Sequence, residues 1–472
     1  MSTATDRCGN GQHRNVLQRT VFKTSREMDF FSEKELSAQT GHSIEEWPAV
    51  IIKELIDNSL DACEEHDIAP DIAVMADACG ITVADNGPGI PESTIAGAMD
   101  FTVRVSSREA YRSPTRGAQG NALKTLLGMP HVLDPSHGKL VIAAGGVEHS
   151  IRCRLDPVTQ RVVFNVEKTK VTDNHRGLQL YKSGTAVRAE WTDKRDEKGE
   201  IVWPFDEEMP MGTFREQITA LARGYALFNP HLTLTLDWFG ERTRFQATDP
   251  GWRKWRPNQP TSPHWYLLRE FERLIAAYIT VDRDAGTDRT VAEFLREFDG
   301  LTGSKKRTIV LEQAGMKRMH LSELATDQGI KSELIAKLLT AMKDNTLPVT
   351  TKRLGQIGQE HIKMRLKEFG CIPESIDYKV RPRIDDGVAF VLESAFGYLG
   401  DNFEWLQFYA GANWSAGIKN PFRSFGTTGE GLESVLADQR AGRDEPIVLV
   451  LHLAHPCVEY TDRGKSAIAV KE

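Results

Sequence analysis

The stretch from Lys53 to Asp61, KELIDNSLD, constrains this chain most, because it reads as one helix with two unlike faces. Ile52, Leu55, Ile56 and Leu60 recur at three- and four-residue spacing and predict a stripe facing a core, while Glu54, Asn58 and Asp61 line a different, polar face. A carboxylate one helical turn before a carboxamide suits a site in which the first group orients a water and the second holds a hydrated magnesium ion. The same pattern also describes a solvated face on a core helix. The residues downstream decide between the two.

Following the chain, residues from Met1 to about Arg19 are polar and aperiodic and read as a flexible arm, taken to extend over 1–25. Ser32 followed by Glu35 signals a helix start, with Leu36 inside the helix and Phe31 placed to staple it. Ile72 to Val74 and Gly80 to Val83 read as two strands joined by a turn, and the second runs into Asp85-Asn86-Gly87-Pro88-Gly89. This pentapeptide can be a tight turn. It can equally be a pocket floor, with the Asp85 carboxylate accepting the exocyclic amine of a purine while Gly87 and Gly89 let the base approach the backbone. Ser106-Ser107-Arg108 comes next, and then SPTRGAQGNALK from Ser113 to Lys124. Gly117 and Gly120 free backbone N–H groups to turn toward an anion at a helix start and Lys124 adds a charge, so Gly117, Ala118, Gln119, Gly120, Asn121, Ala122, Leu123 and Lys124 form a candidate phosphate loop. Leu140 to Ala144, Ile151 to Leu155 and Arg161 to Val166 read as antiparallel strands. Ser183-Gly184-Thr185 precedes another, Ala186 to Trp191, where the Thr185 hydroxyl either binds the same base or simply opens the strand.

Taken in order, Glu54 and Asn58 on a helix, DNGPG, a GxxGxxxK loop and a Gly-Thr before a strand resemble the GHKL ATPases, the group holding gyrase B, a class of heat-shock chaperones, MutL and histidine kinases. The flanks FKTSREMDFFSEKEL, KELIDNSLDACEE and ALFNPHLTL (226–234) are similar to the B subunit of topoisomerase VI, a type IIB DNA topoisomerase. Ala122 stands where the family usually has a third glycine, so the resemblance implies an altered backbone contact with the phosphates there. It implies an α+β multidomain fold: a GHKL (Bergerat) ATP-binding α/β sandwich over 26–245, a helix-two-turn-helix-like module over 260–345 and an α/β transducer-like domain over 346–472. ATP and Mg2+ are the implied cofactors. Asn58 would hold magnesium, with Asp61 in the same site, and Asp85, Gly87, Gly89 and Thr185 would read adenine. Ser106, Ser107 and Arg108, with the loop from Gly117 to Lys124, would cover the phosphates. Glu54 would polarise the attacking water, and Lys465, in the loop Thr461 to Ala469, would reach the γ-phosphate. ATP binding would then close two protomers into a homodimer.

The remainder of the chain agrees with that division. At 472 residues it suggests roughly three domains. Residues 240–263 are rich in turn formers and charge and mark a boundary. Helical periodicity follows over His264 to Thr280, Thr290 to Phe298, Ser304 to Gln313, Leu321 to Thr326 and Lys331 to Asp344. From Leu301 to Gly370 there are 13 Lys/Arg against 7 Asp/Glu, in a protein whose total of 59 Lys/Arg and 66 Asp/Glu gives −7. That local excess attracts phosphate backbones and makes double-stranded DNA the expected partner, bound with little sequence preference. Strands at Val388 to Ser394, Trp405 to Ala410 and Pro446 to Ala454, with helical character from Gly431 to Gln439, give an α/β layer.

Nothing here resembles a cleavage domain with a nucleophilic tyrosine and metal-binding carboxylates, so a topoisomerase role requires a separate DNA-cleaving A-like subunit. In the family a long helix and a docking segment for that subunit follow the lysine, whereas this chain stops at Glu472. A stand-alone ATPase DNA clamp or switch without topoisomerase activity is therefore the alternative expectation. The six scattered cysteines form no CxxC pair or Cys/His cluster, so neither a zinc site nor a disulfide framework is indicated and a reducing cytoplasm fits best. No apolar run approaches a membrane span and the polar N-terminus lacks a signal-peptide core, so a cytoplasmic location without a membrane partner is expected.

Overall fold

The computed structural model describes residues 30–101, 110–116, 122–156, 158, 161–171, 183–326, 329–400, 406–423, 431–439, 441, 444–461 and 466–469. The predicted arm, Ser106 to Arg108, Gly117 to Asn121 and Lys465 lie outside these residues.

The N-terminal part is a helix-covered sheet. Helices α1 (Glu33–Thr40) and α2 (Trp47–Glu65) precede strands β1 (Asp71–Asp77) and β2 (Gly80–Asp85), and α3 (Glu92–Ala98) and α4 (Ala122–Leu133) follow. Then come β3 (Lys139–Ala144), β4 (Val147–Asp156), β5 (Arg161–Lys170), β6 (Thr185–Glu190), the two-residue ladder of β7 (Lys194–Arg195) and β8 (Ile201–Val202), α5 (Met211–Phe228), β9 (Thr233–Trp238) and β10 (Glu241–Phe245). Eight of these strands form one sheet in the order β10-β9-β1-β2-β6-β3-β4-β5, antiparallel except where β1 pairs with β9. Every residue of the central strand β2 is buried, as its near-continuous apolar run requires. The edge strand β5 is largely exposed and ends in lysines, which blunts an open edge.

Ser32 caps α1 by accepting from the Glu35 N–H, as its spacing predicts. Phe31 is buried against Phe101, His131 and Phe164. Proline at the first turn of α2 costs no hydrogen bond, because those N–H groups have no partner in the helix. Ile52, Leu55, Ile56 and Leu60 are buried as predicted, but Asp57, Ser59 and Glu64 are buried too. The reason is tertiary: α2 packs on β2 and is also covered by α5 and by a hairpin of the second sheet.

The helical segment contains α6 (Leu268–Asp284), α7 (Ser304–Ala314) and α8 (Ser332–Asp344). The expected helix from Leu321 to Thr326 is instead a single 3-10 turn, Leu321–Leu324, running into a two-residue ladder of β11 (Ala325–Thr326) with β12 (Gly329–Ile330). Ala325 is already extended, with φ −121° and ψ 161°, so the helix cannot continue. After α9 (Gln359–Glu368) come β13 (Asp377–Asp385), β14 (Val388–Tyr398), β15 (Gln407–Ala412), β16 (Ser415–Ala416), α10 (Leu432–Asp438) and β17 (Ile447–Ala454). These strands form a second sheet ordered β13-β14-β17-β15-β16.

Residues 240–263, turn-rich by composition, begin with β10 and continue as a packed connection rather than a loose linker. The Trp255 backbone N–H donates to Leu354 O (2.9 Å), and Trp252 Nε1 donates to Gln356 O (2.6 Å). One apolar cluster runs through both sheets and the helical segment. Among the described residues no helix is long and apolar enough to cross a membrane.

Candidate nucleotide site

Three elements meet at Asp85, the last residue of β2. Its Oδ1 accepts the Gly87 N–H (2.8 Å) and the Thr185 N–H (3.2 Å), and its Oδ2 accepts the Ser59 hydroxyl of α2 (2.9 Å). Asp85 and Thr185 are each 5% exposed. Burial pushes the Asp85 carboxyl above the usual aspartate range, and the three donors pull against that. The turn after it is pinned by Asn86, whose Oδ1 accepts the Asp71 N–H (2.9 Å) and whose Nδ2 donates to Ala69 O (3.0 Å). A Cβ on Gly87 would sit 2.8 Å from Asp85 Oδ1, so the backbone itself closes on the carboxylate.

Ser59 follows Asn58 on α2, so the helix carrying Glu54 and Asn58 is tied directly to Asp85. Glu54 is half-buried and Asn58 exposed. Neither side chain has a hydrogen-bond partner among the described residues, although Glu54 is close enough to Lys53 to act on its charge. An unengaged carboxylate and an unengaged oxygen donor one turn apart fit a water and a hard cation such as magnesium. The structure therefore brings Glu54, Asn58, Asp85, Gly87, Gly89 and Thr185 together around one helix and two strand ends.

Behind α2 lies a buried charge network that sequence reasoning missed. Arg116, directly before the glycine-rich loop, grips Glu64 with both terminal nitrogens (2.9 and 2.8 Å) and Asp61 with one of them (2.9 Å). Lys254 Nζ lies 2.6 Å from Glu64 Oε2, an oxygen it shares with Arg116, and His231 Nε2 lies 3.0 Å from Oε1. Asp57 is held by Lys53 (2.9 Å), the Tyr225 hydroxyl (2.7 Å) and the Ser415 hydroxyl (2.7 Å). Asp61, expected in the nucleotide site, is thus turned toward Arg116.

The two carboxylates that Arg116 touches differ in sign. Burial opposes ionisation at Glu64, but Arg116 and Lys254, with bonds from His231 and Arg116, outweigh it and hold the carboxyl well below the usual range. At Asp61 burial, with repulsion from Glu64 and Asp57, outweighs Arg116 and Lys254 and pushes the carboxyl up to about 6. Glu64 therefore contributes stability above its unfolded pKa that is lost as pH falls through its depressed folded value. Asp61 does the reverse: its ionised form is penalised, so its contribution improves as pH falls through about 6. Glu64→Gln should cost about 3–5 kcal/mol, because it strands a buried cation. Asp61→Asn should leave stability at pH 7 unchanged or higher. Urea unfolding of both variants at pH 7 and pH 5 checks this, and equal losses would refute the assignment.

Lys124 is buried, with its ammonium 5.4 Å from the centre of the Phe101 ring, and burial lowers its pKa. On the basic stretch, Lys305, Lys306, Arg318, Lys337, Lys352 and Lys367 are exposed. The predicted 13-residue cationic surface needs correction elsewhere. Arg365 is fully buried and donates to Ala226 O, Gln246 O and Glu368, Lys343 donates to Tyr266 O (3.0 Å), and Arg353 forks onto Asp299. Arg365 is thereby withdrawn from solvent, Lys343 is half-buried, and Arg353 stays exposed with its charge paired. Around the predicted Lys465 loop, Thr461 N–H donates to Ala467 O (2.9 Å) and Arg423 donates to Ser466 O (2.6 Å), while Tyr460 is close enough to Lys53 to influence its charge.

Residues 44–159 match the family described as histidine kinase-, DNA gyrase B-, and HSP90-like ATPase. The chain is 24% identical over 505 residues to the B subunit of type 2 DNA topoisomerase 6 from Archaeoglobus fulgidus, covering 98% of this chain and 71% of that one. It is 27% identical over 449 residues to its counterpart from Methanococcoides burtonii, covering 89% of this chain and 64% of that one. Among solved structures, the B-subunit of DNA gyrase from Myxococcus xanthus aligns with 93% of this chain and 86% of that one at 10% identity and a TM-score of 0.37, too loose a likeness to carry argument. The chain thus carries a GHKL-type ATPase domain and is distantly related over most of its length to the B subunit of topoisomerase VI.

Proposed function

We propose that this chain is the ATP-hydrolysing, ATP-dimerising subunit of a topoisomerase VI-like, type IIB enzyme, gating the passage of a DNA duplex with a separate DNA-cleaving A subunit. The observation that carries the reading is the convergence on Asp85: Ser59 of α2 and Thr185 of β6 both bond its carboxylate, beside a helix whose Glu54 and Asn58 have no hydrogen-bond partner among the described residues. The distant relation to topoisomerase 6 B subunits over most of the chain supports the finer assignment.

In this reading Asp85 and Thr185 hold the adenine, Asp85 accepting from its exocyclic amine. Asn58 supplies an oxygen to magnesium, which when bound neutralises phosphate charge. Glu54 orients a water and takes its proton as the water oxygen bonds to the γ-phosphorus and the bond to the β–γ bridging oxygen breaks, giving ADP and phosphate. Ser106, Ser107, Arg108 and the loop from Gly117 to Lys124 cover the phosphates, and Lys465 offsets charge developing on the γ-phosphate. Contacts that require the γ-phosphate hold two protomers closed, and hydrolysis releases them. No cleavage chemistry is assigned to this chain, so the A subunit supplies it.

The exposed lysines and arginine of the helical segment are the proposed contacts to the duplex backbone. ATP hydrolysis with magnesium should be stimulated by long duplex DNA, and neutralising about six phosphates should lower apparent DNA affinity roughly 10³-fold between about 50 and 200 mM salt. Replacing Lys305 and Lys306 by glutamate should flatten the salt slope. Hydrolysis indifferent to DNA at every salt concentration would instead indicate an ATPase acting on a protein client. DNA stimulation without any complex with a DNA-cleaving chain would indicate a stand-alone clamp.

A further inference from the structure

Of the five non-glycine residues with positive φ among the described residues, two stand side by side at one turn of the second sheet. Ala412 and Ser415 pair across the β15–β16 hairpin, leaving Asn413 and Trp414 as its two turn residues, with φ of 50° and 63°. A two-residue turn with both φ positive suits asparagine or glycine; a bulky tryptophan in that region is a genuine outlier. Trp414 carries a second cost, because its indole N–H is buried with no hydrogen-bond partner among the described residues. An outlier held this firmly points to the surroundings that hold it.

Those surroundings are the back of α2. The Trp414 side chain is fully buried, with Lys254 Nζ 4.9 Å from the centre of its ring and Trp252 and His452 against it. The Trp414 backbone N–H donates to His452 Nε2 (3.0 Å), and its backbone carbonyl accepts from Arg116 Nε (3.4 Å) and Asn229 Nδ2 (3.0 Å). The next residue, Ser415, donates to Asp57. Arg116 and Lys254 in turn hold Asp61 and Glu64. The hairpin therefore meets α2 at Asp57, three residues from Glu54 and next to Asn58, and again one to two turns on through Arg116. Lys419, in the loop after β16, adds a pairing to Glu46 just before the helix (2.7 Å).

We propose that Trp414 is a positioning residue: seating its ring behind α2 sets the placement of Glu54, so the second sheet controls ATP turnover through this turn. The inference rests on the ATPase reading above. The two local costs oppose the seated turn and the contacts to α2 hold it, so a nucleotide that favours one placement of α2 biases the turn. Removing the ring displaces the catalytic helix without touching a group that contacts nucleotide, so turnover falls while binding holds.

Trp414→Gly keeps the turn geometry and removes the ring, and Trp414→Phe keeps an aromatic ring and removes the unpartnered N–H. Each is compared with wild type for binding of a non-hydrolysable ATP analogue with magnesium, for steady-state hydrolysis, and for backbone hydrogen exchange over residues 407–416 with and without the analogue. Wild type should slow exchange there on binding. Trp414→Gly should lose that response and lose kcat roughly 10- to 100-fold, the cost of a misplaced reacting geometry, with the analogue's dissociation constant nearly unchanged. Trp414→Phe should restore both. Wild-type binding without an exchange response, or wild-type kcat in Trp414→Gly, would overturn the brace and leave the ATPase reading standing. Analogue affinity and kcat lost together in Trp414→Gly would show a merely structural role and also overturn it. A wild-type protein that binds no nucleotide overturns both. Should Trp414→Gly fail to fold, Trp414→Asn, which suits the positive φ and also removes the ring, decides by the same signs.

Discussion

Glu54→Ala is expected to bind magnesium-ATP with near-wild-type affinity, to form the ATP-dependent dimer and to hydrolyse about 10²- to 10⁴-fold more slowly, the usual contribution of a positioned general base. The side chain is half-buried on α2 and has no hydrogen-bond partner among the described residues, so its removal leaves no stranded donor. Alanine is the better helix former, which leaves α2 intact. Asp85 and Thr185, the proposed adenine contacts, sit on other elements and are untouched. The expected signature is a fall in kcat with little change in ground-state binding, read by single-turnover hydrolysis beside equilibrium binding. Asn58→Ala should separate from it by weakening magnesium-dependent binding. Wild-type turnover in Glu54→Ala would remove Glu54 as the base and leave the nucleotide pocket to stand on Asp85 alone.

How much of this was legible depends on the distance over which the information is carried. The α2 stripe of Ile52, Leu55, Ile56 and Leu60, the β1–β2 pair and the turn at Asp85 are local patterns, and they emerge close to their expected bounds. Helix α5 carries an equally local signal, with Phe214, Ile218, Leu221, Ala222 and Tyr225 buried at helical spacing, although only its last residues fall in the family-like run 226–234. Asp57, Glu64 and Arg116 are a different case. Arg116 stood in plain view before Gly117, yet its partners lie 52 residues away at Glu64 and 298 away at Trp414, and Ser415 reaches Asp57 across 358. No window of sequence holds such a pairing. A charged residue on a helix reads as solvated until a second element covers it, which is also why Arg365 was counted among the cations available to DNA. Leu321 to Thr326 failed for the opposite reason: its apolar spacing is helical, but six residues are too few to outweigh the extended pairing of Ala325 with Ile330.

Gly184→Ala should abolish nucleotide binding while most of the eight-stranded sheet persists. Gly184 has φ +119°, and a Cβ there would lie 1.8 Å from the Asp85 carbonyl oxygen, 2.8 Å from the Asp85 carbonyl carbon and 3.2 Å from the Asn86 Cα. These atoms are all backbone, so no rotamer relieves the overlap and the ends of β2 and β6 must separate. Separation breaks the Thr185 N–H bond to Asp85 Oδ1, now 3.2 Å, and carries the threonine away from the carboxylate with which it is proposed to read the base. The unfavourable φ alone costs about 1–3 kcal/mol, and the overlap adds to it. Affinity for the magnesium–ATP analogue should fall by about 100-fold or more, since even about 2.8 kcal/mol of lost contact accounts for that factor. Gly97→Ala is the matched control. Gly97 lies in α3 with open space where its Cβ would go, so alanine there should raise stability slightly and leave binding unchanged. Wild-type affinity in Gly184→Ala would mean that the close approach of these two strand ends does not build the pocket, and the adenine would have to be sought elsewhere along α2.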